Sequence, residues 1–436
     1  MADMPKMINF RTELTDDGIL HLIFDMPGRS MNVFSNQAIH EAEAFADWLK
    51  GADLAGVVMS SGKPGAFCAG ADLAELAEAY QMIAAAPPGE RDALTVAHFS
   101  PIGRAFRKLE TAGKPVAVAL HGLALGGGCE FALAAHHRVL TDAPETVIGL
   151  PESLVGLLPG GGGTQRLPRC AGIAASLPVL LEGARLTAAQ ALRHGVAHQV
   201  VRPGQERSAA EAWIRSRPDP RQPWDREDWT PTDRAALHRI TDPVRAAFLR
   251  RTGGHFPAEP AILDCLDRGL PVDMDSGIAA EIDIFKDLVQ RVEPRNMIAA
   301  MFLGRLDHDR CKRKETLPAG LTEFGIEIRA AMLERIATLG DLGRTAATLA
   351  GIDGASPGDP EAAQAIADRC PQWFADPRND TERAALSILS AAAKVASGWR
   401  DRIPPEQRNL ADFHCATQAG FPRYLGGPFT FGATVA

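Results

Sequence analysis

HGLALGGGCE, at residues 121–130, leads a strand-like stretch into an apolar helix through three consecutive glycines. Residues 115–120 before it alternate valine with alanine and read as a short strand. Glycine lets a ligand approach the backbone closely, and the N–H of Gly127 would lie near the positive end of the helix dipole. Strand-to-helix turns of this kind are typical of an α/β layered fold.

Glu130 ends this stretch in the first turn of the helix. A glutamate there can simply stabilise the helix N-terminus, but its apolar neighbours make a buried carboxylate costly unless it is paired or functional. A second glutamate, Glu152, follows the turn GLP at residues 149–151. Two carboxylates beside turns whose N–H groups converge form a general acid/base pair next to an oxyanion hole. Addition of water across an activated double bond requires such a pair.

A second strand-to-helix turn has the sequence AFCAGADL at residues 66–73. Gly70 permits tight backbone geometry, so the N–H of Ala71 would point into a pocket at the start of the helix. Asp72 is predicted to cap that helix. Alone, the segment is more typical of an ordinary turn. Together, the N–H groups of Ala71 and Gly127 would hold a developing thioester enolate oxygen.

The four glycines at residues 160–163 suggest phosphate binding at first sight. They lack the Lys-Ser/Thr of a P-loop and the spacing of a dinucleotide fingerprint, which excludes both motifs. No G-x-G-x-x-G occurs in the sequence, and its histidines and cysteines show no metal-ligand spacing. The sequence therefore predicts no metal site.

The composition limits the classes of protein. The 436 residues suffice for two or three domains, and 46% hydrophobic with 23% charged residues is typical of a soluble globular protein. A net charge of -8 without a basic cluster argues against nucleic acid as a partner. No apolar run is long enough to span a membrane, and the N-terminus has no apolar signal core. These features predict a cytoplasmic protein with free thiols.

The two halves of the chain differ in their pattern. Strands are predicted at residues 19–24, 56–60, 115–120 and 138–140, with helices at 36–49 and 128–135 between them. Residues 216–231 read as an irregular connector, and almost every later segment is helix-like. Residues 86–89, APPG, are predicted to be a variable lid, and residues 420–428 a turn-rich loop that caps a core.

These residues resemble the crotonase family of enoyl-CoA hydratases and isomerases. Three motifs match in the family's order: CAGAD at 68–72, GGGCE at 126–130, and GLPE at 149–152 with LLPGGGGTQRL after it. The resemblance covers residues 8–200. It implies a spiral of ββα units in an α/β domain, followed here by a mostly α-helical C-terminal half.

The resemblance also assigns roles to particular residues. It implies that Ala71 and Gly127 supply the oxyanion-hole N–H groups, that Glu130 activates water, and that Glu152 protonates the α-carbon. The residues implied to contact the acyl-CoA are Ser30, Met31, Ala69, Gly70, Asp72, Leu73 and Ala74.

More narrowly, the chain resembles the α-subunits of the bacterial multifunctional fatty-acid oxidation complex, through residues 254–258, 285–306 and 420–428. In those subunits a 3-hydroxyacyl-CoA dehydrogenase module follows the linker helix, whereas residues 310–314 here lead directly into helical sequence. The resemblance therefore implies no NAD site. It implies a crotonase domain at residues 1–200, connector and linker helices at 201–312, and a helical remnant of the dehydrogenase C-terminal region at 313–436.

The leading hypothesis is a 2-enoyl-CoA hydratase of the β-oxidation type, because both glutamates are present. Δ3-Δ2-enoyl-CoA isomerase, which needs one carboxylate to shuttle the proton, is the first alternative. A non-catalytic acyl-CoA-binding or assembly subunit is the second. The resemblance implies no cofactor beyond the acyl-CoA substrate. It leaves open whether the chain associates with itself or with a thiolase.

Overall fold

The computed structural model describes residues 3–369 and 374–435, which divide into two compact units. The first unit comprises the chain up to Ser153, Leu157–Ile240 and Ala261–Gln290. The second comprises Leu154–Gly156, Thr241–Pro260 and the chain from Arg291 onward. The domain boundaries expected at residues 200 and 312 stay predictions.

The first unit is built on two sheets. In chain order the strands are β1 Phe10–Leu14, β2 Ile19–Phe24, β3 Gly56–Ser61, β4 Ala66–Cys68, β5 Val116–Leu120, β6 Leu123–Leu125, β7 His137–Thr141, β8 Val147–Gly149, β9 Arg185–Thr187 and β10 Gln199–Val201. The larger sheet has the order β1-β2-β3-β5-β7-β10, and only its β1–β2 pair is antiparallel. Every residue of β2, β3 and β5 is buried, as expected for parallel strands covered on both faces.

The smaller sheet has the order β4-β6-β8-β9 and brings the predicted motifs together. Its neighbours β4, β6 and β8 are parallel, so their carboxyl ends lie at one edge. The turn with Gly70 leaves β4, the glycines at 126–128 leave β6, and Glu152 follows β8. Sheet topology thus explains why three motifs that are far apart in sequence meet at one place.

Helices lie between these strands and after them in the chain up to residue 289. They are α1 Asn36–Leu49, α2 Leu73–Ala85, α3 Pro88–Glu110, α4 Gly127–Leu133, α5 Gly163–Ala171, α6 Ile173–Glu182, α7 Ala188–Arg193, α8 Glu206–Arg215, α9 Arg234–Thr252, α10 Ala258–Gly269 and α11 Met274–Val289. α1 shows why such segments form helices. Ser35 caps its N-terminus by accepting the Ala38 N–H at 3.2 Å, and Phe45 and Leu49 are buried on its apolar face.

Residues 86–89 lie at the junction of two helices, and their role as a variable lid stays a prediction. Pro88 begins the 23-residue helix α3, because the fixed φ of proline suits the first position of a helix and its missing N–H has no intrahelical acceptor there. The segment is therefore a tight break between α2 and α3.

In its described residues the second unit consists of helices joined by loops, without a strand. From residue 292 onward its helices are α12 Val292–Met297, a π-helical turn Ile298–Gly304, α13 Arg305–Arg313, α14 Leu321–Ala350, α15 Pro360–Arg369, α16 Asp380–Gly398, α17 Arg408–Gln418 and α18 Pro428–Val435. Short 3₁₀ helices among the described residues lie at Glu152–Val155, Pro223–Asp225, Ile352–Gly354, Pro405–Gln407 and Arg423–Leu425. The expectation of an α/β half followed by a helical half is confirmed.

The loop at residues 420–428 caps the core of the second unit, as the sequence predicted. Phe421, Tyr424 and Leu425 are buried in one cluster with residues of α14, α16 and α17. The Tyr424 hydroxyl donates to the Ala350 carbonyl oxygen at 3.1 Å, so the polar end of this buried ring is satisfied. Among the residues that the structure describes, no helix combines the length and apolarity needed to cross a bilayer.

Candidate active site

The two glycine turns approach each other backbone to backbone. A Cβ built on Gly70 would lie 3.1 Å from the Leu125 carbonyl oxygen and 3.8 Å from the Gly127 nitrogen. A Cβ on Gly128 would lie 2.5 Å from the Cys68 carbonyl oxygen. Gly70 also has φ +107°, a conformation that L side chains rarely adopt. Glycine at these positions therefore allows the two predicted N–H donors to lie side by side.

The backbone around Ala71 is held by the segment that contains Phe34. The Phe34 N–H donates to the Gly70 carbonyl oxygen at 2.7 Å, and the Asp72 N–H donates to the Phe34 carbonyl oxygen at 2.9 Å. This pattern leaves the Ala71 N–H outside the ladder. The Gly127 N–H lies in the first turn of α4, where amides have no intrahelical acceptor. Within the described residues neither N–H has a protein acceptor, so both can donate to a ligand oxygen.

Glu130 lies in the first turn of α4, and its side chain is buried. Its Oε1 accepts the N–H groups of Gly161 and Gly163, each at 2.7 Å. Burial raises the pKa of this carboxyl, while the two N–H donors and the nearby charge of Arg166 oppose that rise. Glu130 is thus a buried carboxyl that receives two hydrogen bonds suited to its ionised form.

Glu152 begins the 3₁₀ helix Glu152–Val155, and its carboxyl has a different environment. A Cβ on Gly126 would lie 3.0 Å from its Oε1, so the side chain reaches back to the glycine turn. Its buried Oε2 has no hydrogen-bond partner in the part of the chain that the structure describes. Burial and the neighbouring Glu130 raise its pKa well above the ordinary range. Burial raises the pKa of both carboxyls, but Glu130 has two N–H donors and a nearby arginine that oppose the rise, whereas the neighbouring Glu130 adds to the rise for Glu152.

A buried ion pair supports the turn that holds Glu130. The guanidinium of Arg166 binds both oxygens of Glu110, at 3.1 and 3.0 Å, and both side chains are fully buried. Arg166 also donates to the Gly161 carbonyl oxygen at 2.9 Å. Both backbone polar groups of Gly161 are therefore engaged: its N–H donates to Glu130 and its carbonyl oxygen accepts from Arg166.

Comparison with known proteins agrees with this geometry. The family model "Enoyl-CoA hydratase/isomerase" matches residues 15–217. The chain carries an enoyl-CoA hydratase/isomerase domain. This match confirms the crotonase resemblance that the motifs predicted.

Curated relatives of the chain are α-subunits of the fatty acid oxidation complex. That of Shewanella baltica is 34% identical over 307 residues, and that of Shewanella loihica is 36% identical over 301 residues. Each match covers 67% of this chain and 41% of the relative, so the chain spans about two fifths of the length of the relatives it matches. An enoyl-CoA hydratase structure from Bacillus halodurans is 17% identical with a TM-score of 0.47, covering 66% of this chain and 98% of that one.

Within the hydratase/isomerase domain, the residues expected to contact acyl-CoA lie on two neighbouring segments. Ser30 and Met31 are exposed in the loop after β2, and Leu73 and Ala74 begin α2. Ala69 and Gly70 form the turn before α2. The Ala69 N–H donates to the Asn32 carbonyl oxygen at 2.9 Å, so the two segments are adjacent in the structure.

Asp72 has structural partners that the sequence only partly predicted. Its Oδ1 accepts the Ala74 N–H at 3.0 Å, which confirms the predicted helix cap. Its Oδ2 accepts from Arg29 at 2.7 Å. The carboxylate is therefore engaged on both oxygens, and a contact between Asp72 and substrate stays a prediction.

Sequence reasoning missed the second partner of the glycine run, Glu281 on α11. Its carboxylate is buried and accepts the N–H groups of Gly162 and Thr164. A signal was present in the sequence, because Glu281 lies in the apolar stripe of α11 with Ile284 and Phe285. In the described residues no group of three His, Cys, Asp or Glu side chains is placed to hold a metal ion.

Proposed function

We propose that the chain is a 2-enoyl-CoA hydratase that acts in fatty-acid β-oxidation. The observation that carries the proposal is the unequal environment of two buried carboxyls beside two available N–H groups. Glu130 receives two backbone hydrogen bonds, whereas Glu152 has an oxygen with no partner in the described chain. One site can provide both an acid and a base when the surroundings of its two carboxyls favour different protonation states.

In this mechanism the thioester carbonyl oxygen accepts from the N–H groups of Ala71 and Gly127. These donors stabilise the negative charge that develops on that oxygen when the nucleophile attacks C3. Glu130 accepts a proton from water while the oxygen of that water bonds to C3. Glu152 gives its proton to C2, and the 2,3 double bond becomes a single bond. The product is a 3-hydroxyacyl-CoA whose hydroxyl comes from water and whose new C2 proton comes from Glu152. Glu130 then releases the proton that it took from water, and Glu152 takes up a proton, which restores both carboxyls for the next turnover.

Enoyl-CoA isomerisation by the same site is the second candidate. It is supported by Glu152 alone, since a buried carboxyl with a raised pKa can move a proton between C2 and C4 while the same N–H groups hold the enolate. Formation of 2-enoyl-CoA from a 3-enoyl-CoA measures this activity directly.

We also propose that the chain works without a nicotinamide cofactor and in the cytoplasm, with the acyl-CoA as its ligand. Its helical second unit is then an assembly element, for copies of this chain or for a thiolase. An acyl-CoA that binds without turnover would instead indicate a non-catalytic subunit.

The test is hydration of crotonyl-CoA and of a longer 2-enoyl-CoA, followed by loss of the enoyl-thioester absorbance. Wild type is compared with Glu130→Gln, Glu152→Gln and the control Glu145→Gln, which changes an exposed carboxylate. Removal of a general acid or base is expected to lower kcat by about 10²-fold or more. Wild-type protein that binds enoyl-CoA without hydrating either chain length would overturn the proposal.

A further inference from the structure

α11 places a third carboxylate beside the catalytic pair. Glu281 is 1% exposed, and its Oε1 accepts the Gly162 N–H at 2.7 Å. Its Oε2 accepts the N–H of Thr164 at 3.1 Å and also its hydroxyl. Among the residues that the structure describes, no lysine or arginine forms an ion pair with Glu281. The carboxylate is therefore satisfied by backbone and hydroxyl dipoles alone.

Glu130 and Glu281 divide one run of backbone amides between them. The N–H groups of Gly161 and Gly163 go to Glu130, and those of Gly162 and Thr164 go to Glu281. Successive amides thus point to alternate sides of the same turn. A shift of this turn toward either carboxylate lengthens the hydrogen bonds to the other, so the position of Glu281 governs the donors that hold Glu130.

The turn has little room to move by itself. A Cβ on Gly161 would lie 2.5 Å from Glu130 Oε2, and a Cβ on Gly163 would lie 2.8 Å from Glu130 Oε1. The Gly161 carbonyl oxygen is bound by Arg166. Gln165 donates to the Thr164 hydroxyl at 2.9 Å, which orients that hydroxyl toward Glu281. The contacts to Glu281 are therefore part of a fixed hydrogen-bond arrangement.

Charged and titratable groups face Glu281 from several elements. They are Glu130 of α4, Glu152 after β8, Arg166 of α5 and Cys265 of α10. α3 contributes Arg107 and Asp92, which pair elsewhere on α11 with Asp275 and Lys286. Burial and the neighbouring Glu130 raise the pKa of Glu281 to about 8. Above that pH its charge opposes ionisation of Glu152, whose pKa it helps to raise.

We propose that Glu281 is a positioning residue for the reaction, which holds the Gly161–Thr164 amides so that Glu130 keeps its place. This inference rests on the hydratase function proposed above. The turn donates to both carboxylate oxygens of Glu281, but a glutamine side chain has only one acceptor oxygen. The NH2 group of glutamine would face an N–H of the turn, so that donor would lose its acceptor.

The test compares Glu281→Gln with Asp283→Asn on the same helix. Asp283 is an exposed carboxylate that pairs with Arg268 at 2.7 Å and with Lys286 at 3.3 Å. We expect Glu281→Gln to lower kcat on the order of tenfold with little change in KM, as outer partners of reacting groups often do. The alkaline limb of its pH profile should also move to lower pH. Asp283→Asn should leave both unchanged.

A second readout does not require turnover. In protein labelled with ¹⁵N-glycine, Glu281→Gln should shift the amide resonances of Gly161 and Gly163, and Asp283→Asn should not. If wild type is inactive but these resonances shift, the hydratase function fails and the positioning role stands. If wild type is active and Glu281→Gln matches Asp283→Asn in kcat, pH profile and resonances, the positioning role is overturned. Should Glu281→Gln not fold, Thr164→Val carries the same test, because it deletes the hydroxyl that donates to Glu281 and accepts from Gln165 while keeping the Thr164 backbone N–H.

Discussion

Replacing Gly161 by alanine tests whether the amide turn sets the position of Glu130. The new Cβ would lie 2.5 Å from Glu130 Oε2, against the 3.4 Å at which ordinary contact begins, so the carboxylate must move by about 0.9 Å. Its Oε1 lies 2.7 Å from the Gly161 and Gly163 nitrogens, and a shift of that size carries it beyond hydrogen-bond distance. Misplacement of a reacting group by about 1 Å costs on the order of 10²-fold in rate.

The adjacent glycine supplies a matched control. A Cβ on Gly160 would meet Phe285 Cε2 at 3.5 Å, which is an ordinary contact, so Gly160→Ala should keep the wild-type rate. The assay is kcat for enoyl-CoA hydration, with thermal unfolding of each variant to establish that it is folded. We expect Gly161→Ala to lose about 10²-fold in kcat with a smaller change in KM. Equal kcat for the two alanine variants would refute the argument that the turn positions Glu130.

Three further predictions concern stability. Arg166→Met leaves the buried Glu110 without its bidentate partner and should lower the free energy of unfolding in urea by about 3 kcal/mol or more; a loss below about 1 kcal/mol would contradict a structural role for the pair. Burial raises the pKa of Glu259 to about 8, so between 4.5 and 8 the folded state keeps a proton that the unfolded state loses, and stability falls as the pH rises through this window. Glu259→Gln should flatten that slope, which is at most about 1.4 kcal/mol per pH unit, and an unchanged slope would show that other groups cause it. Asp412→Ala removes the acceptor of the Thr430 N–H at 2.9 Å and should cost about 2 kcal/mol in the same urea assay, whereas exposed Asp401→Ala should cost little.

Segments with strong local signals were predicted from the sequence. The strand at residues 19–24 and the helix at residues 36–49 match β2 and α1 in extent. The first is apolar except for His21, and the second combines an N-cap serine with apolar residues at helical spacing. Local chemistry alone determines such elements. The helix-like pattern predicted after residue 231 did not show that α14, Leu321–Ala350, continues through the non-helical Gly340.

No local sequence pattern showed that the three motifs lie close together in the fold. Spacing along the chain did not show that β4, β6 and β8 are neighbours; the resemblance to a family supplied that expectation, and the sheet order explains it. The partners of Glu130 were also missed. The glycine run was tested only against phosphate motifs, whereas its amides bind carboxylates of the protein itself.

The glycine run therefore does act as an anion site, with two glutamates as the anions. Backbone N–H groups that converge in a turn bind negative charge whatever molecule carries it. One of these carboxylates, Glu281, comes from α11, far beyond the residues 15–217 that the family model matches. A chain that ended at residue 217 would keep Glu130, Glu152 and both glycine turns. It would nevertheless leave the buried N–H groups of Gly162 and Thr164 without acceptors, a cost of about 1–3 kcal/mol for each. The smallest segment that satisfies the amides of the glycine turn thus extends through α11, beyond the residues that carry the motifs.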